Sequence, residues 1–264
     1  MRILHPTDFS PASYKALEFA QHLRGLMGGS LTILHAYEPR YASPAQFFSR
    51  ENEQIFQQAD LEWQRALEQQ LRGLDPSAQT ILETGKPIPC ILHHAAEHDL
   101  LVMGTHGEDS LKDRLIGTTT ERVIAQTEKP VVVVSRDTAL RRLSHLVVAT
   151  ALADPSERAL GLAYEIATRS DGSLTLLHVV EPGAVDADQA RLHALVSYFP
   201  GEARERIQVV VLPSSSPADE ALLDYVTRNT ASALFMGRSR GSRIFGSVTR
   251  NVLNRARVPV FVHP

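Results

Sequence analysis

The sequence has little cysteine and little net charge, and it contains no long apolar run. Its single cysteine, Cys90, excludes an intramolecular disulfide framework and fits a reducing compartment. A net charge of −3 argues against a basic field that would attract nucleic acid or a membrane surface. No apolar stretch approaches the roughly 20 residues of a membrane span, and the first residues do not form a signal peptide. We therefore expect a cytoplasmic protein with no nucleic-acid or membrane partner.

An internal repeat divides the chain into two halves. Residues 5–39 align with residues 148–182 without a gap, and 13 of the 35 aligned pairs are identical. Further on, Gly104 matches Gly237, and the pair Pro130-Val131 matches Pro259-Val260. The chain is therefore a tandem duplication. We place the two domains at residues 1–139 and 140–264.

Each repeat alternates short apolar strands with amphipathic helical patterns. In repeat one the pattern predicts strands at 2–7, 31–37, 78–83, 100–104 and 130–135. Helices are predicted from Ser10 or Ser13, over 87–97 and over 118–126, with a polar segment of roughly helical spacing over 45–72. Repeat two predicts strands at 145–150, 173–180, 207–212, 233–237 and 259–262, and helices at 155–169, about 187–199, 217–229 and 247–256.

This alternation predicts an α/β fold made of two tandem doubly wound domains. Each domain would contain a five-stranded parallel sheet with helices on both faces, because its strands are continuously apolar. The last strand of each repeat is strongly β-prone and would lie at a sheet edge, and an uncovered edge seeks a partner. We expect the repeats to pair through these strands as an intramolecular pseudo-dimer. A further homodimer stays open.

The stretch 102–120 is the strongest candidate for a binding site. An apolar strand ends at Gly104, Gly107 follows, and Gly117 precedes the threonines that open a helix. Free amides at a helix N-terminus bind anions, and glycines let a phosphate approach the backbone. The stretch predicts a nucleotide phosphate site; the alternative is an ordinary glycine-rich turn capped by threonine.

The loop after the first strand supplies a carboxylate, Asp8. Ligands of open parallel sheets lie beyond the carboxyl ends of the strands, where the strand order reverses. If strands one and four flank that point, Asp8 faces the glycine-rich loop. A carboxylate repels phosphate but accepts hydrogen bonds from ribose hydroxyls or an adenine amino group. The alternative role of Asp8 is a helix N-terminal cap.

Four motifs together resemble the universal stress protein family. They are I-L-H-P-T-D-F-S-P-A-S at 3–13, S-L-T-I-L-H-A at 30–36, G-x2-G-x9-G-T at 104–118 and P-V-V-V-V at 130–134. The resemblance covers nearly the whole chain as two copies. It implies ATP as the bound cofactor, with the presence of Mg²⁺ left open. It also implies the strand order 3-2-1-4-5, dimerisation through the last strand and a regulatory role in stress survival.

The resemblance also implies which residues hold the nucleotide. Pro6, Thr7 and Asp8 would contact the nucleoside, and the backbone of Ala36 would meet adenine. The residues around the ribose and phosphates would be Met103, Gly104, His106, Gly107, Gly117, Thr118 and Thr119. His106 has a second interpretation as an exposed loop residue.

Repeat two departs from this pattern where the nucleotide would bind. Asp8 aligns with Ala151, and the loop from Gly237 to Ser247 is shorter than its counterpart. We therefore predict one competent site, in repeat one, and a degenerate second site. Asp154, three residues downstream of Ala151, is an alternative carboxylate on which the prediction does not rely. Several arginines in or near the second loop form either a solvated face partly paired with the acidic first repeat or a site for another anion. These are Arg238, Arg240, Arg243, Arg250, Arg255 and Arg257.

Histidines elsewhere in the sequence favour structural roles. Cys90, His94 and His98 share one helix, but helical drift and the lack of a second ligand cluster favour an exposed histidine-rich helix over a metal site. His35 and His178 persist in both repeats, including the one that has lost Asp8. We therefore interpret them as structural.

Catalysis has little support in the sequence. The G-x-x-x-x-G-K-[ST], G-x-S-x-G and H-E-x-x-H motifs are missing, and Lys112 is the single lysine of the 104–119 loop. The leading hypothesis is an ATP-binding stress regulator in which binding changes the 107–117 loop. Two alternatives stay open: a slow ATP hydrolase that uses the same cleft, and a nucleotide-independent scaffold. The scaffold would bind an unknown protein partner through residues 40–72 or the arginine face.

Overall fold

The computed structural model describes residues 1–39, 50–105, 116–152, 156–183, 185–238 and 246–264. Its strands are β1 Arg2–Pro6, β2 Ser30–Tyr37, β3 Gln79–Thr84, β4 Leu100–Gly104, β5 Val131–Val134, β6 His145–Ala149, β7 Ser173–Val180, β8 Ile207–Pro213, β9 Ala233–Gly237 and β10 Val260–His263. Its helices are α1 Pro11–Met27, α2 Arg50–Leu74, α3 Pro87–Ala95, α4 Thr118–Gln126, α5 Ser156–Ser170, α6 Val185–Ser197, α7 Gly201–Glu205, α8 Ala218–Arg228 and α9 Ser247–Arg255. In these ranges no helix has the length and apolar character needed to cross a membrane.

The strands form one ten-stranded sheet in the order β3-β2-β1-β4-β5-β10-β9-β6-β7-β8. Each repeat contributes five parallel strands in the order 3-2-1-4-5, which confirms the predicted fold class. The two halves meet where β5 pairs antiparallel with β10, and Val132 lies opposite Phe261 in that pairing. The predicted pairing of the repeats through their last strands is therefore confirmed.

Helices cover both faces of the sheet, and each face has a core that runs through both repeats. On one face α1 and α5 pack over the central strands. There the ring of Phe261 stacks on Phe235 at a centroid distance of 4.1 Å and meets the edge of Phe19 at 6.0 Å. On the other face α3, α4, α8 and α9 contribute to the core. Because Phe261 of repeat two packs on Phe19 of repeat one, the two repeats share the hydrophobic core on this first face.

Local signals explain the bounds of α1. Ser10 is the N-cap, since its side chain accepts a hydrogen bond from the Ser13 amide at 3.2 Å, and Pro11 opens the helix. The helix ends at Gly28, whose φ of 65° lies in the left-handed region that glycine adopts without strain. The alternative role of Asp8 as the helix cap is therefore wrong.

Several helices differ from the sequence-based bounds, and one helix was not predicted. The short helix α7 was not predicted, because five residues are too few to show a helical period. It is supported by Arg204, whose side chain donates hydrogen bonds to the carbonyl oxygens of Phe199 and Ser197 at 2.7 and 2.5 Å. Helix α3 ends at Ala95, two residues before the predicted end.

Candidate functional site

The loop after β1 is held by hydrogen bonds from both sides. The Thr7 amide donates to the carbonyl of Leu34 on β2 at 2.8 Å, and the Thr7 carbonyl accepts from His35 Nδ1 at 2.7 Å. Thr7 Oγ1 accepts from the Ser13 hydroxyl at 2.8 Å and from the Phe9 amide at 3.1 Å. Phe9 has a φ of 61°, a left-handed conformation that costs a non-glycine residue roughly 1–3 kcal/mol. The loop is therefore rigidly built around a buried threonine.

Asp8 projects from this rigid loop as an exposed side chain. Its Oδ1 accepts a hydrogen bond from the Ser10 amide at 3.0 Å. A carboxylate has about four acceptor positions, so this bond leaves most of its capacity for a ligand. Pro6, also predicted at the site, is the half-buried last residue of β1. Ala36 lies half-buried near the end of β2, opposite Glu83 of β3.

The second wall of the site is formed by the end of β4 and the start of α4. Met103 is buried beneath this wall, and Gly104 ends the strand. Gly117 is the N-cap of α4, makes no side-chain cap, and donates its amide to the carbonyl of Thr105. Thr118 is exposed and Thr119 half-buried in the first turn. First-turn amides of an α-helix lack intrahelical partners and favour anions, so this end of α4 can receive a negative charge.

Close packing joins the two walls. A Cβ built on Gly104 would lie 2.9 Å from the carbonyl carbon of Ala12 and 3.0 Å from the Ser13 nitrogen, so this position accepts no side chain. The Gly104 carbonyl also accepts a hydrogen bond from Thr120 Oγ1 at 2.8 Å. The start of α1, the end of β4 and the first turn of α4 therefore form one contiguous edge at the point where the strand order reverses.

A cavity of about 370 Å³ opens beside Thr119 between α3 and α4. Its lining residues are Glu38, Lys86, Pro87, Ile88, Pro89, Thr119, Arg122 and Gln126. Lys86 and Arg122 give it two positive groups against the single carboxylate of Glu38. The cavity combines apolar walls with a net positive rim, a composition that suits an organic anion.

Parts of the predicted site lie outside the described residues. These are His106 and Gly107, with Lys112 of the same loop. In repeat two the same holds for Asp154, Arg240 and Arg243.

The loop after β6 reproduces the first loop without its carboxylate. Thr150 accepts from the Leu152 amide at 2.9 Å through Oγ1, and its carbonyl accepts from His178 Nδ1 at 2.7 Å. Leu152 has a φ of 56°, matching Phe9. Ala151 occupies the position of Asp8 and is likewise exposed. The loop therefore keeps its shape without Asp8, and the two equivalent histidine contacts support the structural interpretation of His35 and His178.

A buried histidine beneath the first loop escaped the sequence-based prediction. His5 Nδ1 donates to the carbonyl of Val102 at 2.9 Å, and Nε2 lies 3.5 Å from Ser13 Oγ. Complete burial lowers the pKa of His5 to about 4, outweighing the opposing effects of the Val102 carbonyl and Asp8. The ring is therefore neutral at pH 7. The signal was present in the sequence, since the repeat places Val148 at the equivalent position in an otherwise apolar strand.

Three of the described arginines near the second loop make specific side-chain contacts. Arg250 forms an ion pair with Glu121 of repeat one, and Arg255 lies 3.7 Å from Asp219. Arg238 donates to the carbonyls of Ala125 and Thr127 in repeat one. These contacts favour the interpretation of this surface as a paired face over that of a second anion site.

The prediction of an exposed histidine-rich helix that carries Cys90, His94 and His98 is wrong, because α3 ends at Ala95 before His98, and Cys90 and His98 are buried. His94 Nε2 pairs with Glu83, and His98 Nδ1 donates to the His94 carbonyl at 2.7 Å. Cys90 is buried, and burial together with Glu83 raises the pKa of its thiol. Among the residues placed by the structure, no group of three or more histidine, cysteine, aspartate or glutamate side chains could hold a metal ion.

The fold and the site define a tandem doubly wound α/β protein with a candidate ligand loop at each reversal of strand order. A family model described as the universal stress protein family matches residues 1–135 and 143–264. The chain belongs to the universal stress protein family.

Relatives and solved structures agree with this assignment. The chain is 24% identical over 284 residues to a universal stress protein of Mycobacterium tuberculosis, covering 97% of this chain and 93% of that protein. It is 29% identical over 154 residues to one of Methanocaldococcus jannaschii, covering 51% of this chain and 94% of that protein. The crystal structure of a universal stress protein from Archaeoglobus fulgidus has a TM-score of 0.75 at 23% identity, covering 99% of this chain and 97% of that one. This likeness shows the shared fold.

Proposed function

We propose that repeat one binds ATP at the edge formed by Asp8, Gly104 and the start of α4, and that binding regulates the protein in a stress response. Repeat two pairs with repeat one as an intramolecular pseudo-dimer in the cytoplasm and carries a degenerate site. The domains are residues 1–139 and 140–264. The family resemblance supplies the ligand class, and the geometry supports the choice of repeat one.

The observation that carries the proposal is the contrast between Asp8 and Ala151. Both loops share the amide bond to the threonine hydroxyl, the histidine bond to the threonine carbonyl and the left-handed residue, so this part of the loop does not require a carboxylate. Asp8 neither caps α1 nor forms an ion pair with another described residue. Asp8 is an exposed carboxylate beside a ligand edge, and its bond from the Ser10 amide leaves acceptor positions that can hold nucleoside hydroxyl or amino groups.

The opposite wall suits the phosphates. First-turn amides of α4 and the hydroxyls of Thr118 and Thr119 can donate to phosphate oxygens. Gly104 keeps the edge open, because any side chain there would collide with α1. Lys86 and Arg122 add positive charge at the adjoining cavity. Mg²⁺ would be carried mainly by the phosphates themselves, as it usually is in nucleotide sites.

Calorimetry of the full chain tests the proposal. Asp8→Ala, which copies repeat two, should weaken ATP binding about tenfold or more, because it removes hydrogen bonds to a charged acceptor. Glu18→Ala removes an equal charge from an exposed position of α1 and should leave the affinity unchanged. Denaturing the purified protein and identifying any released nucleotide tests the ligand directly. The proposal fails if the wild-type chain binds no adenine nucleotide and Asp8→Ala behaves identically.

A further inference from the structure

Three side chains of repeat two contact the helix that carries the candidate phosphate end. Asn254 Oδ1 accepts a hydrogen bond from the Ile116 amide at 2.6 Å, just before α4. Arg250 Nη2 lies 2.5 Å from Glu121 Oε1 in the first turn. Arg238 donates to the carbonyls of Ala125 and Thr127 at the end of the helix. Helix α4 is therefore held at its start, its first turn and its end by the other repeat.

The contact with Ile116 lies closest to the ligand edge. Ile116 is buried and directly precedes Gly117, whose own amide donates to the Thr105 carbonyl. Thr120 Oγ1 ties the same turn to Gly104 at 2.8 Å. Two of the bonds that fix the entry into α4 therefore come from repeat one, and the third comes from Asn254. A buried amide without a partner is costly, so the loss of Asn254 would let this entry shift.

The Asn254 contact has no side-chain counterpart from repeat one. The alignment of Gly117 with Gly246 also pairs Ala125 with Asn254, and alanine has no side-chain acceptor for the loop of repeat two. The same alignment pairs Glu121 with Arg250. Repeat one therefore lacks the side-chain amide with which repeat two holds the entry into α4. The asymmetry matches the asymmetry of the sites, since Asp8 also occurs in repeat one alone.

We infer that repeat two is a working part of the repeat-one site: Asn254 is a positioning residue that sets the Ile116-Gly117 peptide for phosphate binding. The inference rests on the proposed function, because it concerns the same nucleotide. Because a side chain of repeat two holds the start of α4, nucleotide binding in repeat one and the contact between the repeats are energetically coupled. If contact with α9 favours the binding geometry, bound nucleotide must strengthen the contact with α9 to the same extent.

The test measures ATP affinity and amide hydrogen exchange on the full chain. Asn254→Ala should weaken ATP binding about tenfold, the effect of one lost hydrogen bond to a buried amide. Asn251→Ala is the matched control, because Asn251 lies on the same helix but donates to Asp219 within repeat two at 3.1 Å. Its affinity for ATP should stay within about twofold of wild type. In the wild-type chain ATP should slow exchange over residues 246–255, and in Asn254→Ala this effect should be lost.

The outcomes separate the two claims. If the wild-type chain binds no ATP, both the proposed function and the inference are overturned. If the wild-type chain binds ATP but amide hydrogen exchange over residues 246–255 is not slowed, the inference alone is overturned. This measurement needs no variant. The inference alone is also overturned if Asn254→Ala folds, binds ATP as tightly as Asn251→Ala and still transmits protection to α9. A purely structural role would lower the melting temperature of Asn254→Ala without changing how ATP protects α9.

Discussion

Glu121 and Arg250 occupy equivalent positions in the two repeats and form an ion pair with each other across the repeat boundary, with 2.5 Å between Oε1 and Nη2. In a self-paired repeat the same position would meet its own copy, so glutamate would face glutamate. The opposite charges therefore favour pairing of repeat one with repeat two over pairing of like repeats.

The first prediction concerns this pair. Glu121→Arg should lower the free energy of unfolding by about 1–2 kcal/mol, since it replaces a partly exposed ion pair by two facing arginines. The exchange variant Glu121→Arg with Arg250→Glu should recover most of the loss. Urea unfolding of the single variants and the exchange variant measures the coupling. Equal losses in Glu121→Arg and the exchange variant would show that charge complementarity is irrelevant here.

The second prediction concerns pH. The pKa of His5 is about 4 in the folded chain and near 6.5 when unfolded, so the unfolded state binds the proton more readily between these values. His5 therefore destabilises the fold increasingly as pH falls from about 6.5 towards 4, and has no such effect above that range. At pH 5 its contribution should be about 2 kcal/mol less favourable than at pH 7.

His5→Val, which copies Val148, isolates this effect. The difference in unfolding free energy between pH 7 and pH 5 should shrink by about 2 kcal/mol in this variant. The exposed His22 serves as the control, and His22→Ala should retain the wild-type difference. Urea unfolding at the two pH values provides the measurement. An unchanged pH dependence in His5→Val would contradict the assigned burial effect.

The third prediction concerns Gly104. Gly104→Ala should destabilise the fold by about 1–3 kcal/mol, because the new methyl group would lie 2.9 Å from the backbone of Ala12 and would separate β4 from α1. Gly25→Ala, within α1, meets nothing within 4 Å and should be neutral or stabilising by up to about 1 kcal/mol. Thermal unfolding distinguishes the two. ATP affinity should fall in Gly104→Ala and stay unchanged in Gly25→Ala.

The fourth prediction concerns stoichiometry. Calorimetric titration should give one ATP per chain. Ala151→Asp should leave that value at one, because the shorter loop after β9 does not reproduce the spacing of the first site. Two bound nucleotides in the wild-type chain would contradict the prediction of a degenerate second site.

The repeat made most of the fold predictable. The alignment of residues 5–39 with 148–182 places strands and helices twice, and the strands predicted at 130–135 and 259–262 correctly indicate the junction between β5 and β10. Thr7 and Gly104 were identified from motifs, and the structure shows why each position is restricted. These features follow from local patterns, which a sequence displays directly.

Contacts across the junction were not predictable in the same way. Asn254 has the pattern of an ordinary polar residue on the polar side of an amphipathic helix, and its role depends on how α9 lies against Ile116. The capping residue of α1 was ambiguous between two serines, and Asp8 was a competing candidate. Which residue caps a helix depends on distances of a few tenths of an ångström, and the spacing of residues in the sequence does not determine these distances.

The opposition of the equivalent residues Val132 and Phe261 at the centre of the sheet has a consequence for core sequence. In an assembly of two identical chains, a mutation at the symmetry centre appears twice, so two phenylalanines would crowd the space and two valines would underfill it. Joining the copies in one polypeptide removes that restriction. Each half can then be selected separately, and a large residue can settle against a small one. A tandem chain can therefore use unequal core pairs, such as Val132 with Phe261, that an assembly of identical subunits cannot.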